Sequence, residues 1–291
     1  MKTSQVDSNS KLQLNICHLY PDLMDTYGDR GNIIAVVKRC QWRGIDVTVS
    51  NISVGDSLST SHFDFDFFFF GGGQDIQQEI VGKDLQKKAK DLKRAVEQES
   101  VILSICGGYQ LLQNYFKTLD GKMIKGIGIF DAHTIGSTTR MIQNLLIKIN
   151  PTIQSEISEA YTSLRGAEQR SNLKTEIKDS FASLRMTGEE TILIGFENHS
   201  GKTFLGSNLK PLGKVIKGSG NNGEDGTEGA VYKNAFGCYL HGSLLPKNPH
   251  FADYLISKAL ERRYGEIKLE PLDDSIEWQA HKQAINRPQS Q

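Results

Sequence analysis

The chain has 291 residues, 38% hydrophobic and 23% charged, and its 34 lysines and arginines balance its 34 aspartates and glutamates. That length and composition suit a globular chain built on one sizeable core, and zero net charge gives nothing for a nucleic acid or an anionic membrane to hold. The four cysteines, at 17, 40, 106 and 238, form no Cys-x-x-Cys pair, which fits a reducing compartment. Met1–Lys11 has no apolar leader, and no apolar run approaches the ~18 residues of a membrane helix, so a cytoplasmic protein is expected.

Residues 1–11 read as a flexible tail. Leu12–Cys17 alternates and reads as a first strand. The polar turn Tyr27-Gly28-Asp29-Arg30-Gly31-Asn32 then opens a helix with Ile33, Ile34, Val37 and Cys40 on its apolar face, and Ile45–Val49 is a second strand. Phe65–Phe70 runs into Gly71-Gly72-Gly73, a buried strand ending in a loop that something can approach closely. A charged helix over 84–98 follows, with Leu85, Ala89, Leu92 and Val96 inward.

Val101–Ile105 is an apolar run followed by Cys106-Gly107-Gly108 and then by helical spacing at Tyr109, Leu111 and Leu112. That is strand, sharp turn and helix with a thiol at the apex, the nucleophile-elbow arrangement with cysteine in the place of serine. The N–H groups that open the helix favour thiolate and can hold an oxyanion. A small buried cysteine at a strand end is the alternative. Both glycine-rich loops lie at the C-terminal edge of one parallel sheet, where open α/β sheets place their sites.

From Gly126 the chain becomes richer in strands, with Arg140–Ile149 and Thr191–Glu197 as the clearest. Between them, residues 150–189 repeat themselves: Ile153, Ile157, Tyr161 and Leu164 are matched by Leu173, Ile177, Phe181 and Leu184. Two short amphipathic helices are expected, packed at the periphery or serving as an interaction arm. Gly201-Lys202-Thr203 is no phosphate-binding loop, because the first glycine of that motif would fall on Phe196. Residues 228–240 read as a hairpin ending at His241-Gly242, a helix carries Phe251, Leu255, Ile256, Ala259 and Leu260, and the polar segment 271–291 reads as a second flexible tail.

A cysteine nucleophile needs a base that also returns a proton to the leaving group. His62 and His250 fall in polar loop sequence and His281 in the tail. His18, His133, His199 and His241 stay open, and His241 stands out because it ends a buried strand and is followed by glycine.

Taken in order, Leu19-Tyr20-Pro21-Asp22, Tyr27–Asn32, Phe70–Asp75, Ile105–Gln110, Gly195–His199, Gly220–Gly223 and Tyr239–Gly242 make the chain resemble the class I glutamine amidotransferases. Within them it is similar to the cobyric-acid-synthase-like branch, and within that branch to the glutaminase subunits of lipid II isoglutaminyl synthases. The resemblance implies a flavodoxin-like, mostly parallel α/β sheet flanked by helices, over 12–262, with 150–189 as a helical insertion. It implies that Cys106 attacks the side-chain amide of L-glutamine, that Gly72, Gly73 and Gly107 hold the oxyanion, that His241 serves the leaving ammonia, and that Arg140 binds the substrate carboxylate. It implies no metal and no cofactor in this chain, with ATP and a metal ion on a Mur-ligase-like partner subunit that amidates the D-glutamate of lipid II. Three features depart from the family, the first being the repeat-bearing insertion 150–189, which does not match it. Ser243 stands where a triad carboxylate falls two residues after the histidine, which leaves a dyad or a borrowed carboxylate such as Glu197. Ser104 stands two residues before the cysteine, where glycine is common. The other readings are an amidotransferase half for a cobyrinate-like acceptor, a different cysteine hydrolase, and a non-catalytic scaffold for the ligase.

Overall fold

A computed structural model describes residues 11–58, 64–168 and 191–286. The second copy of the internal repeat and His62 lie outside them.

Five parallel strands form the framework. They are β1 (Gln13–Leu19), β2 (Asp46–Ile52), β3 (Phe67–Phe70), β4 (Val101–Ile105) and β12 (Ala235–Cys238), with β11 (Ala230–Tyr232) antiparallel on the edge. Their order is β11-β12-β4-β3-β1-β2, the doubly wound arrangement expected from the resemblance. Period-two alternation splits the phenylalanine run between two cores. Phe67 and Phe69 join the cluster under α1 (Arg30–Trp42) and α5 (Pro249–Tyr264), while Phe68 and Phe70 join the one under α2 (Asp75–Glu97) and α3 (Gly107–Leu111). With both faces covered, an all-apolar strand is the sequence that fits.

The second half builds a separate, mostly antiparallel sheet, in the order β10-β9-β7-β5-β6 with β8 on β7. Its strands are β5 (Tyr115–Lys117), β6 (Met123–Lys125), β7 (Ala132–Ile149), β8 (Ile192–Leu205), β9 (Gly213–Lys217) and β10 (Thr227–Glu228). The β7–β8 register shifts between Gly136 and Met141. Gly201-Lys202-Thr203 lies inside β8, so it is a strand and no phosphate loop.

Two expectations need correction. The insertion opens as α4 (Pro151–Glu168), and its first turns are not peripheral: Ile153 and Ile157 are buried in the core beside α5, and Glu156 accepts the Tyr254 hydroxyl at 2.9 Å. The segment after Pro271 is not a loose tail over 275–286, where it forms α6 (Ser275–Asn286) with His281 buried. The polar composition misleads because its charge is paired inward. Buried Arg39 takes Asp274 at 2.6 and 2.8 Å and Asp253 at 2.7 Å through both forks of its guanidinium. His250 is likewise no loop residue; it is buried in α5 and stacked on Trp278 at 5.1 Å.

Candidate active site

The C-terminal edge of the parallel sheet gathers four segments. β4 delivers Cys106, whose backbone is left-handed at φ 49. Its N–H bonds Cys238 O at 2.8 Å, and Gly108 N bonds Gly71 O at 3.1 Å, so the elbow is fastened to the strands on both sides. The close approach explains the glycines. A Cβ on Gly108 would lie 2.5 Å from Phe70 O, and one on Gly107 would lie 2.9 Å from Gly73 N. The helix that follows spans only five residues, so no long macrodipole is aimed at the sulfur.

β3 delivers the Gly71–Gly73 loop. A Cβ on Gly72 would sit 2.8 Å from His241 Cε1 and 3.4 Å from Cys106 Cβ, which places Gly72, Cys106 and His241 around one point. Gln78, one turn into α2, donates Nε2 to Gly73 O at 3.0 Å and steadies that loop.

His241 arrives from the end of β12, bridged through its backbone to Phe196 of β8 at 2.9 and 3.1 Å. Its Nδ1 lies 3.1 Å from Asp29 Oδ1, which directs Nε2 as the working nitrogen. Burial disfavours charge on this ring. Its electrostatic interaction with Cys106 and the hydrogen bond it donates to Asp29 outweigh that and push its pKa up to about 10. His18, His133 and His199 are placed differently. His18 tilts against Phe69, His133 stacks between Tyr115 and Phe204, and His199 stacks on Tyr239 at 3.6 Å with Nδ1 on Gly201 O.

Asp29 is the residue that sequence reasoning missed. It is fully buried, and its Oδ2 accepts Gly72 N at 2.8 Å while Oδ1 meets the histidine. One carboxylate therefore orients both the imidazole and the glycine loop. The available signal was its position in the loop leaving β1, at the same sheet edge as the cysteine. Glu197, the carboxylate weighed from sequence, is used elsewhere: it accepts Ser219 N at 2.7 Å and Gly220 N at 2.9 Å. Ser243, in the place of the usual carboxylate, donates to Gly28 O at 2.6 Å and ties the histidine loop to the turn that carries Asp29.

Arg140 lies exposed on β7, with Nε on Asn198 Oδ1 at 2.9 Å and Nη2 on the Tyr27 hydroxyl at 3.3 Å. The Tyr27 ring stands edge-on to His241 at 5.0 Å, so the arginine is at the rim of the same site. Beneath it runs a buried polar ladder. Gln110 donates to the Tyr239 hydroxyl at 3.0 Å, Tyr239 meets Thr203 at 2.7 Å, and Thr203 meets Thr134 at 2.7 Å, which fastens the elbow helix to the second sheet. Behind His241, burial pushes the Glu228 carboxyl up to about 8, opposed by the Tyr239 N–H it accepts at 2.5 Å and aided by the charge of Glu197.

Cys106 is partly exposed, whereas Cys17, Cys40 and Cys238 are buried, and burial pushes all three of those thiols up, Cys40 to about 12. Among the described residues, no three or more His, Cys, Asp or Glu side chains converge as a metal site would need, and no helix is long and apolar enough to cross a membrane.

A partly exposed thiol on an elbow, a histidine oriented by a carboxylate and a glycine loop facing both are the parts that a cysteine-dependent acyl-transfer site on a doubly wound sheet requires. Residues 15–249 match the CobB/CobQ-like glutamine amidotransferase domain, and the chain belongs to that family. It is 38% identical over 275 residues to the lipid II isoglutaminyl synthase (glutamine-hydrolyzing) subunit GatD of Streptococcus pneumoniae, covering 94% of this chain and 91% of the relative. The GatD of Staphylococcus aureus is 35% identical over 279 residues, covering 96% and 98%. A probable cobyric acid synthase of Methanosphaera stadtmanae is 29% identical over 204 residues, 68% of this chain but 33% of that protein.

Proposed function

We propose that this chain is the glutaminase subunit of a lipid II isoglutaminyl synthase, hydrolysing L-glutamine to glutamate and ammonia. The observation that carries the reading is the meeting of Cys106, His241, Asp29 and Gly72 at one sheet edge. The sulfur attacks the side-chain carbonyl carbon of glutamine, and the developing oxyanion is met by the N–H groups of Gly73 and Gly107; Gly72, expected from the sequence to share that role, has its N–H taken by Asp29. The C–N bond breaks as His241 gives its proton to the departing ammonia, leaving a γ-glutamyl thioester. Water then adds to the thioester, His241 takes back a proton, and glutamate leaves with the sulfur restored. Asp29 keeps the imidazole in the tautomer both steps need. Arg140 receives the α-carboxylate on its fork.

The ammonia passes to a Mur-ligase-like partner subunit that binds ATP and a metal ion and amidates the D-glutamate of lipid II in the cytoplasm. End-to-end similarity to two proteins named as subunits of that synthase supports this acceptor over a cobyrinate-like one, whose enzymes the chain spans only in part. The test is transfer of ¹⁵N from the side-chain amide of glutamine to lipid II by the co-purified pair. Transfer that persists with this chain's Cys106→Ala variant, or a label found only on a corrinoid acceptor, would overturn the assignment.

A further inference from the structure

Tyr27 is 44% exposed, yet its ring is packed against fully buried His241. Its backbone is left-handed, φ 58 and ψ 27, a conformation unfavourable for any residue that carries a Cβ. The turn around it is fastened to the catalytic loops. Thr26 donates N and Oγ1 to Gly72 O at 3.1 and 2.7 Å, Gly28 O accepts Ser243 Oγ at 2.6 Å, and Asp29 holds Gly72 N. A residue kept in an unfavourable conformation over a reacting histidine is a feature the mechanism has not used.

Arg140 faces two neutral oxygens, the Tyr27 hydroxyl at 3.3 Å and Asn198 Oδ1 at 2.9 Å. Hydrogen bonds from a guanidinium to a carboxylate are about twice as strong as those to neutral acceptors and use the fork in pairs. We propose that Tyr27 is a substrate-operated gate: its hydroxyl occupies on Arg140 the place that the α-carboxylate of glutamine takes, and exchange of the two releases the ring from His241. This rests on the glutaminase reading for the identity of the ligand. It makes Tyr27 a specificity-determining residue as well, since an amide without an α-carboxylate cannot release the gate.

Three measurements on the full chain decide it. Tyr27→Phe keeps the ring and removes the tether, so the KM for glutamine falls about two- to tenfold, the scale of one neutral hydrogen bond. Tyr27→Ala removes the ring, so iodoacetamide alkylates Cys106 faster than in the wild type, read by intact mass because the other cysteines are buried. In the same variant, hydrolysis of 4-aminobutanamide, which is glutamine without its α-carboxylate, rises relative to that of glutamine. An unchanged or raised KM in Tyr27→Phe overturns the exchange and makes the hydroxyl a support for substrate. Equal alkylation rates in Tyr27→Ala and wild type overturn the gate. Alkylation needs no turnover, so a protein inert towards glutamine would refute the glutaminase reading while the alkylation rates still decided the gate.

Discussion

Replacing Asp29 with Asn is the sharpest perturbation of the site. The carboxylate serves two donors, Gly72 N at 2.8 Å and His241 Nδ1 at 3.1 Å, and both Asp29 and His241 are fully buried, so solvent screens neither bond. An Asn can accept one of them through its carbonyl oxygen, and its NH2 must then face the other. If it keeps Gly72, the imidazole must present an unprotonated Nδ1 and loses the tautomer that leaves Nε2 able to accept a proton. A hydrogen bond to a charged group contributes about 1.5–3 kcal/mol, so kcat should fall roughly ten- to 150-fold. The assay is ammonia release from glutamine. The pH dependence follows from the same pair. The folded pKa of His241, about 10, lies above its ordinary value of 6.5, so the stability it contributes is fully present below pH 6.5 and lost as pH rises through about 10. Asp29→Asn removes one support of that charge, and the upper edge of the window should move down. A variant with kcat within twofold of wild type and an unmoved pH-stability curve would refute the positioning role.

Arg140→Lys keeps the charge and loses the fork, and kcat/KM for glutamine should fall by about 1.5–3 kcal/mol in transition-state terms; an unchanged value counts against a carboxylate clamp. Ile153→Ala or Ile157→Ala should each cost about 2–5 kcal/mol in denaturant unfolding, because both are buried in the core, whereas losses below about 0.5 kcal/mol would show the start of the insertion to be peripheral. Glu228 has its folded pKa raised from 4.5 to about 8, so the stability it contributes is present below pH 4.5 and is lost as pH rises towards 8, a change of roughly 4–5 kcal/mol across that window. Glu228→Gln should flatten that part of the curve, and an unaltered slope would place the titration elsewhere.

The parallel framework was legible because each strand states its burial locally. Phe67–Phe70 and Val101–Ile105 are apolar on both faces, and each ends in a glycine loop. The elbow was legible for the same reason, since a cysteine between a buried strand and two glycines leaves few backbone arrangements. What the sequence hid was non-local. Asp29 and His241 are 212 residues apart, and nothing in the polar turn around Asp29 says which ring it faces. The start of α2 was missed because Gln74–Glu79 looks like loop, although Gln78 is buried there to hold Gly73. The first part of β7 was missed because Thr134, Gly136 and their neighbours carry little apolar signal; the buried hydroxyl pair of Thr134 and Thr203 replaces it. The ordered C-terminal helix was hidden by the polar sequence around it; Asp274, immediately before it, closes on buried Arg39 rather than on water.

The most direct test of the central claim is intact and peptide mass analysis of the protein quenched with acid during glutamine turnover. A γ-glutamyl adduct should be found on the peptide containing Cys106, should disappear in Cys106→Ser together with ammonia release, and should be lost with it when His241 is replaced by a residue that cannot protonate the departing ammonia. Ammonia release that survives Cys106→Ser, or an adduct on Cys17, Cys40 or Cys238 with Cys106 unmodified, would contradict it.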